Sequence, residues 1–383
     1  MTATLAKVCT MVAAGSIFAG QLRAQGNLST QGFGYPQGQL TTRALGFGGA
    51  IGEIDPNGPL NPGAIGRLAT RTVLFQIEPE YRTVTSATGV DHTTTARYPV
   101  IFVGVPFGEQ WVTSVSSSSL LDRSWETSRA IVELVGSDSV KTNLHESSNG
   151  AMNDIRLAEA WTNRSWLSIG VGIHGITGRD VVASGQDFPD TTSHFASFSS
   201  NRTLSYRGTA LSAGVLVTAG DQVVFGVTYR KGGMLREREN DSTLSQGNAP
   251  DHFGASVAFT GIRGTTFAAR AAHDGWSSLA SMLETPNQTV HDSWDYSGGA
   301  EVSGPHFANQ ALFLRAGVRT RTLPFEASSN MVTEKSLSFG SGLSMGRGRV
   351  SADLTGIRQW RYSALPSVTE RAWTISFSLT ARP

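Results

Sequence analysis

Hydrophobic and polar residues alternate with a period of two along most of the chain. In 372–381, Trp373, Ile375, Phe377 and Leu379 alternate with Thr374, Ser376, Ser378 and Thr380. The same split places Leu337, Phe339, Leu343 and Met345 against Ser336, Ser338, Gly340, Gly342 and Ser344, and Val223, Phe225, Val227 and Tyr229 against Val224, Gly226, Thr228 and Arg230. Successive side chains of a strand point to opposite faces, so each segment predicts a strand with one greasy face and one small, polar face. A soluble sandwich with an inward apolar face and a transmembrane barrel with an outward one both fit this alternation.

Length and turn spacing separate the two. About 14 candidate strands can be marked, at 72–83, 98–106, 111–126, 153–162, 166–177, 204–218, 222–234, 252–260, 265–273, 293–303, 311–321, 335–345, 349–361 and 371–381. Many exceed the roughly 5 to 6 residues usual in soluble sheets, and about 9 to 11 suffice to cross a bilayer. Short connections follow even strands, at 107–110, 163–165, 219–221, 261–264 and 346–348, with a middling one at 304–310. Longer ones follow odd strands: 84–97, 127–152, 178–203, 235–251 and 274–292, with shorter members at 322–334 and 362–370. An even-stranded outer-membrane barrel sorts its connections in this way, with tight periplasmic turns and longer external loops, whereas a sandwich has no reason to. Trp161 and Trp166 bracket a predicted periplasmic turn, while Trp294, Trp360 and Tyr362 fall toward outer ends, as an aromatic girdle requires.

Composition agrees. Glycine supplies 43 of 383 residues and only 16% are charged, ordinary for a barrel. The first 24 residues carry Lys7, an apolar run over 8–19 and a small residue at Ala24, the layout of a secretory signal peptide with cleavage expected after Ala24. Cys9 is the only cysteine and lies in that segment, so no disulfide staples the mature chain. The signal removes Lys7 and Arg23 from 31 basic residues, leaving 29 against 30 acidic ones. No clustered basic face points to nucleic acid. After the signal no window of about 18 apolar residues exists, so a membrane would be crossed by strands.

Between the signal and the first strand lies a stretch without a spanning pattern, and within it 43–66 reads RALGFGGAIGEIDPNGPLNPGAIG. Gly46, Gly48 and Gly52 do not have dinucleotide-fingerprint spacing, and neither a strand before nor a helix after is evident. Glycine-rich backbone packed against a barrel wall is the alternative, because only residues without Cβ approach so closely. The run Arg43-Ala44-Leu45-Gly46-Phe47-Gly48-Gly49-Ala50, with Asn61-Pro62-Gly63-Ala64 after it, resembles the amino-terminal plug signature of the FadL and PorV group of outer-membrane proteins, an ARxLGxGGA segment before an NPA turn. Gly226-Val227-Thr228-Tyr229-Arg230 and Leu314-Arg315-Ala316-Gly317-Val318 are similar to that group's GxSYR and LRxG strands. This chain departs in reading NPG for NPA and in ending Ala-Arg-Pro where such barrels commonly end in an aromatic residue. The resemblance implies a 14-stranded all-β barrel in the cell outer membrane, with signal 1–24, a luminal plug over 25–70 built on Gly46, Gly48, Gly49, Asn61 and Pro62, and the barrel over 71–383. It implies passive, plug-gated transport of long-chain fatty acids or other hydrophobic compounds, with no cofactor, or a secretion-linked barrel that binds a protein partner through its external loops.

With the greasy faces turned to outer-membrane lipid, the lumen receives Glu78, Glu80, Arg82, Arg230, Arg270, Asp295, Glu301, Arg315, Arg319, Arg321, Arg349 and Asp353. Arg315, Arg319 and Arg321 share one face of one strand and, with Arg230 and Arg270, are candidates to hold a ligand carboxylate by bidentate contact while Phe47, Leu60 and Ile65 take an apolar tail. The same arginines could instead pair with Asp and Glu across the lumen. Enzymatic chemistry finds little support. His92, His145, His194 and His291 fall in predicted polar loops, His174 faces the lumen as a structural histidine, and no metal-ligand spacing occurs. Asp180, Asp187 and Asp190, in the 178–203 loop, miss the EF-hand pattern. The string Gly342-Leu343-Ser344-Met345-Gly346 turns into another strand, whereas a nucleophile elbow needs a helix.

Overall fold

The computed structural model describes residues 28–30, 33–86, 89–135, 138–188, 196–283, 288–307, 310–327, 331–363 and 368–383. The signal segment with Cys9, and His194 and Asp190, lie outside these residues. Fourteen strands form a closed antiparallel barrel. They are β1 (Thr72–Ser86), β2 (Gly89–Arg97 continued by Val100–Phe107), β3 (Trp111–Asp122 continued by Trp125–Val135), β4 (Asp138–Thr162), β5 (Leu167–Asp187), β6 (Phe198–Ala219) and β7 (Val223–Glu239), then β8 (Ser242–Asn248 continued by Asp251–Ile262), β9 (Thr265–Gly275), β10 (Ser293–Phe307), β11 (Gln310–Leu323), β12 (Val332–Met345), β13 (Val350–Tyr362) and β14 (Thr369–Ala381). Each pairs with the next, and β14 returns to β1 with Val73 opposite Ala381 and Thr85 opposite Thr369, so no edge is left open.

The alternation sorts the two faces as expected. On β14, Trp373, Ile375, Phe377 and Leu379 are exposed and Thr374, Ser376, Ser378 and Thr380 are buried. An exposed apolar belt is explained by lipid, which solvates it, while closure of the ladder pairs the strand edges that lipid could not. Tight turns join even to odd strands. Between β4 and β5, the Asn163 Oδ1 accepts from the amides of Ser165, Trp166 and Leu167 at 3.0, 3.1 and 3.0 Å, closing the turn with one side chain.

At the opposite end the sequence reading needs correction. Much of the expected loop 127–152 is strand, because β3 runs on to Val135 and β4 begins at Asp138 and is 25 residues long. β5 and β6 reach 21 and 22 residues. These extensions pair β-ladder to β-ladder beyond the apolar belt, where the outward face meets water and the inward face mixes polar with apolar residues, so the two-fold hydrophobic signal is lost. His92 and His145 therefore sit in strands, and Asp180 is a buried β5 residue whose carboxylate accepts from Arg123 Nε at 2.7 Å. Arg349, expected in the lumen, is exposed at the turn between β12 and β13.

Candidate functional site

Inside the barrel lies the amino-terminal segment, bonded to inward side chains on strands all round the wall. A short helix, α1 (Thr42–Gly46), is capped by Thr41, whose hydroxyl accepts from the Ala44 amide at 3.1 Å. Thr42 donates its amide to Gln76 on β1 at 3.1 Å and shares a hydroxyl contact of 2.8 Å with Ser376 on β14, while its carbonyl accepts from Thr355 on β13 at 2.9 Å. On the far side Asn61 donates to the carbonyls of Glu53 and Val215 at 2.6 and 3.2 Å, and the Gly63 carbonyl accepts from Ser168 on β5 at 2.7 Å. Gly48 has φ of +70°, and a Cβ there would stand 2.6 Å from the Val318 carbonyl; a Cβ on the facing Gly317 would run into the Phe47 and Gly48 backbone. Backbone against backbone is what the glycine-rich stretch provides.

The interior is layered. At the short-turn end Ile65 and Leu68 pack on Leu74, Val100, Phe102 and Val112. Above them the segment's Leu40, Leu45, Phe47, Ile51 and Leu60 meet Ala258, Ala268 and Ile357 of the wall. At the long-strand end Phe33 joins Leu121, Met152, Tyr206, Leu235, Trp276, Leu279, Met282 and Phe325 in an apolar cap, several of them contributed by the short 3-10 turn Trp276–Met282 folded in after β9. The expected tail-contacting residues Phe47, Leu60 and Ile65 thus belong to two of these layers and are all buried.

Between the layers runs a belt of charge, and it holds the five candidate arginines. Arg315 donates to Glu301 and Asp353, both at 2.6 Å. Arg319 clamps Asp295 through Nε and Nη2 at 2.9 and 2.6 Å, and Arg270 reaches the same carboxylate at 2.6 Å. Arg321 donates to Glu334 at 2.7 Å, and Arg230 to Gln39 and Asp154 at 2.8 and 3.2 Å. Arg270 also donates Nε to both oxygens of Glu53 at 2.9 Å, and the Ser256 hydroxyl donates to Glu53 at 2.5 Å. Burial alone pushes the Glu53 carboxyl up, but the Arg270 guanidinium and His252 outweigh it and hold the group at about 2. Tyr35 sits among the guanidinium groups of Arg97, Arg321 and Arg361, 5.2, 4.8 and 4.5 Å from its ring, and donates its hydroxyl to Glu334 at 2.8 Å.

One luminal arginine is different. Arg156 on β4 is 1% exposed, makes no ion pair among the described residues, and leaves Nε and Nη1 without a hydrogen-bond partner; its Nη2 donates to the Gly58 carbonyl at 3.3 Å. Ser116, directly opposite it on β3, and Ser114 on the same face also have unpartnered hydroxyls. Arg156 was missed in the sequence although the alternation of Asp154, Arg156, Ala158 and Ala160 against Ile155 and Leu157 would have placed it inward. Arg361 and Glu334 were legible by the same parity.

His174 lies 2.8 Å from Asp154 through Nδ1 and 2.8 Å from the Ser212 hydroxyl through Nε2. This has hydrolytic-triad spacing, but Asp154 is also bound by Gln39 and Arg230, and the grouping ties the segment to the wall. Ser344 lies next to the end of β12, whose last residue, Met345, leads through a tight turn into β13, so it has a strand rather than an α-helix after it. A luminal cavity of about 200 Å³ opens at the short-turn end between Arg43, Glu301, Phe313, Arg315, Asp353 and Arg382.

No family model matches the sequence, and no curated protein matches it. Solved structures do. A FadL homologue from Pseudomonas aeruginosa aligns over 92% of this chain and 99% of its own, with TM-score 0.62 and 13% identity. The toluene transporter TodX of Pseudomonas putida aligns over 92% and 99%, with TM-score 0.59 and 11% identity, and the monoaromatic hydrocarbon channel CymD over 90% and 97%, with TM-score 0.57 and 14% identity. A closed barrel of fourteen strands with its apolar face outward, superposable over nine-tenths of its length on these three proteins, has the fold of the FadL-like outer-membrane barrels.

Proposed function

We propose that this protein sits in the outer membrane and lets hydrophobic or amphipathic small molecules, such as long-chain fatty acids, pass inward without chemistry, gated by residues 25–70 acting as a plug. The observation that carries the reading is the layered lumen: an apolar cap at the long-strand end lies over a belt of charge, and the chain's own amino-terminal segment fills the space between. Similarity in fold to a FadL homologue, a toluene transporter and a monoaromatic hydrocarbon channel supports the class of cargo. An apolar ligand would be captured at the cap and released at the short-turn end once the segment shifts.

For a ligand with an acidic head, the charge belt supplies two kinds of cation. Arg230, Arg270, Arg315, Arg319 and Arg321 would have to exchange a protein carboxylate for that of the ligand. Arg156 would not, because among the described residues its guanidinium hydrogen-bonds only to the Gly58 carbonyl, and it becomes available when the segment moves. Mass spectrometry of organic extracts from protein purified in mild detergent tests the proposal, with wild type beside Arg156→Met and the Arg315→Ala, Arg319→Ala double variant. A retained amphiphile lost in Arg156→Met supports the reading, and loss in the double variant alone moves the head group to the Arg315 strand. Absence of any retained compound, together with no uptake of hydrophobic tracers into vesicles holding the protein, overturns it. The extension of β4, β5 and β6 well past the apolar belt favours a second reading, in which the projecting ladder is a platform for a protein partner.

A further inference from the structure

The outward face of β5, β6 and β7 changes character sharply along the strands. Ile173, Leu211 and Met234 are 58%, 63% and 50% exposed and end the apolar belt on their strands. A few positions further toward the long-strand end the same face carries Arg179, Arg207 and Arg236, all exposed. Register brings them together. Arg207 is directly opposite Arg236, and Ser205 is directly opposite both Arg179 and Arg238. Four guanidinium groups therefore share one continuous patch over three strands.

Two neighbouring charges do have partners: on this face Lys231 lies 2.7 Å from Asp251, and on the opposite face of the same strands Arg202 lies 3.0 Å from Glu239. Among the described residues Arg179, Arg207 and Arg236 pair with no carboxylate, and Arg238 has only the exposed Asp241 at 3.7 Å. Like charges directly opposite on neighbouring strands destabilise a ladder. The arrangement becomes favourable once an anion with several oxygens lies across it, and guanidinium forks match phosphate in two-point contacts. Height along the barrel identifies the source. The patch begins where the apolar belt stops, the level of lipid headgroups on the side where the long strands project.

We propose that the patch formed by Arg179, Arg207, Arg236 and Arg238 binds the phosphate of a lipid headgroup in the leaflet on the long-strand side. The lipid lies on the outside of the wall, independent of any cargo in the lumen. The four arginines form a clamp in which Arg207 and Arg236 grip from adjacent strands, while Arg179 and Arg238 close the end away from the belt.

The test is native mass spectrometry of the full chain in mild detergent, titrated with a diphosphorylated lipid A, with the same lipid stripped of its phosphates, and with inorganic phosphate. Each basic residue near an anionic lipid surface contributes about fivefold in affinity, so the Arg207→Gln, Arg236→Gln double variant should bind the phosphorylated lipid about 25-fold more weakly. Arg202→Gln should bind as wild type does. The proposal is overturned if wild type takes the dephosphorylated lipid equally well, if inorganic phosphate competes at the lipid's own concentration, or if the double variant, checked for folding by heat-modifiable migration, binds undiminished. The comparison of the two lipids on wild type decides the matter even where a variant fails to fold.

Discussion

Replacing Glu53 by Gln removes one charge from the amino-terminal segment and almost no volume. Glu53 is fully buried and accepts from Arg270 through both oxygens at 2.9 Å and from Ser256 at 2.5 Å. The carboxyl is held at about 2 against an ordinary 4.5, a difference worth about 3 kcal/mol. Breaking a buried pair by removing one partner costs about 3 to 5 kcal/mol; the amide still accepts from Ser256, and Arg270 still has Asp295 at 2.6 Å, so the lower end applies. The strands hold each other regardless, so the loss falls on docking of the segment. Local opening of 51–58 should rise about 100-fold, since about 1.4 kcal/mol is a factor of ten. Hydrogen–deuterium exchange reads this directly at the amides of Ile54, Asp55 and Gly58, which donate to Ile51, Ile51 and Asp55 within the segment. The sign with pH follows. A depressed carboxyl contributes fully above about 4.5, and the contribution is lost as pH falls toward about 2. Wild-type protection at these amides, corrected for intrinsic rates, should therefore fall over that window, and in Glu53→Gln this component of the fall should vanish. Exchange that differs less than about threefold between the two proteins at pH 7 would refute the view that the Glu53–Arg270 contact holds the segment docked.

Three further outcomes are expected. Gly317→Val places a branched side chain against the Phe47 and Gly48 backbone, weakening docking of the segment by about 1 to 3 kcal/mol; ion conductance across planar bilayers should rise, while the barrel still migrates as heat-modifiable. Arg156→Met removes a buried guanidinium with two unpartnered nitrogens and should leave thermal stability unchanged or raised, in contrast to Arg361→Met, which withdraws the one guanidinium shared by the buried Glu334, Glu80 and Glu370 and should cost about 3 kcal/mol or more. Phe377→Arg puts a cation in the apolar belt of β14, where Phe377 is 42% exposed, and should destabilise the protein in vesicles by about 2 to 4 kcal/mol by denaturant titration.

The barrel was legible in the chain because a strand with lipid on one side and a polar lumen on the other must alternate. Trp373, Ile375, Phe377 and Leu379 on β14 show this, and the parity of short and long connections then counts the strands. The same logic fails where the strands leave the membrane. His145 on β4 and Asp180 on β5 read as loop residues because beyond the belt both faces are wetted or packed by polar groups, and the pattern that marks a strand disappears. Inward placement of Arg230, Arg270, Arg315, Arg319 and Arg321 also followed from alternation. Their partners did not, because Asp295 between Arg270 and Arg319, or Glu334 between Arg321 and Arg361, depends on which strands become neighbours and at what register.

The sequence by itself determined the architecture: period-two alternation, strand length and turn parity are local properties, and together they admit a closed barrel with an apolar exterior. The glycine-rich stretch likewise announced close backbone contact. Only the tertiary structure decided what that backbone touches, with Gly48 against Val318, Glu53 against Arg270 and Asn61 against Val215. It also decided that among the described residues Arg156 pairs with no carboxylate, while Arg230, Arg270, Arg315, Arg319 and Arg321 each pair with one. Charge pairing in a lumen is set by distances between residues far apart in the chain, and these exist only once the sheet has closed on itself.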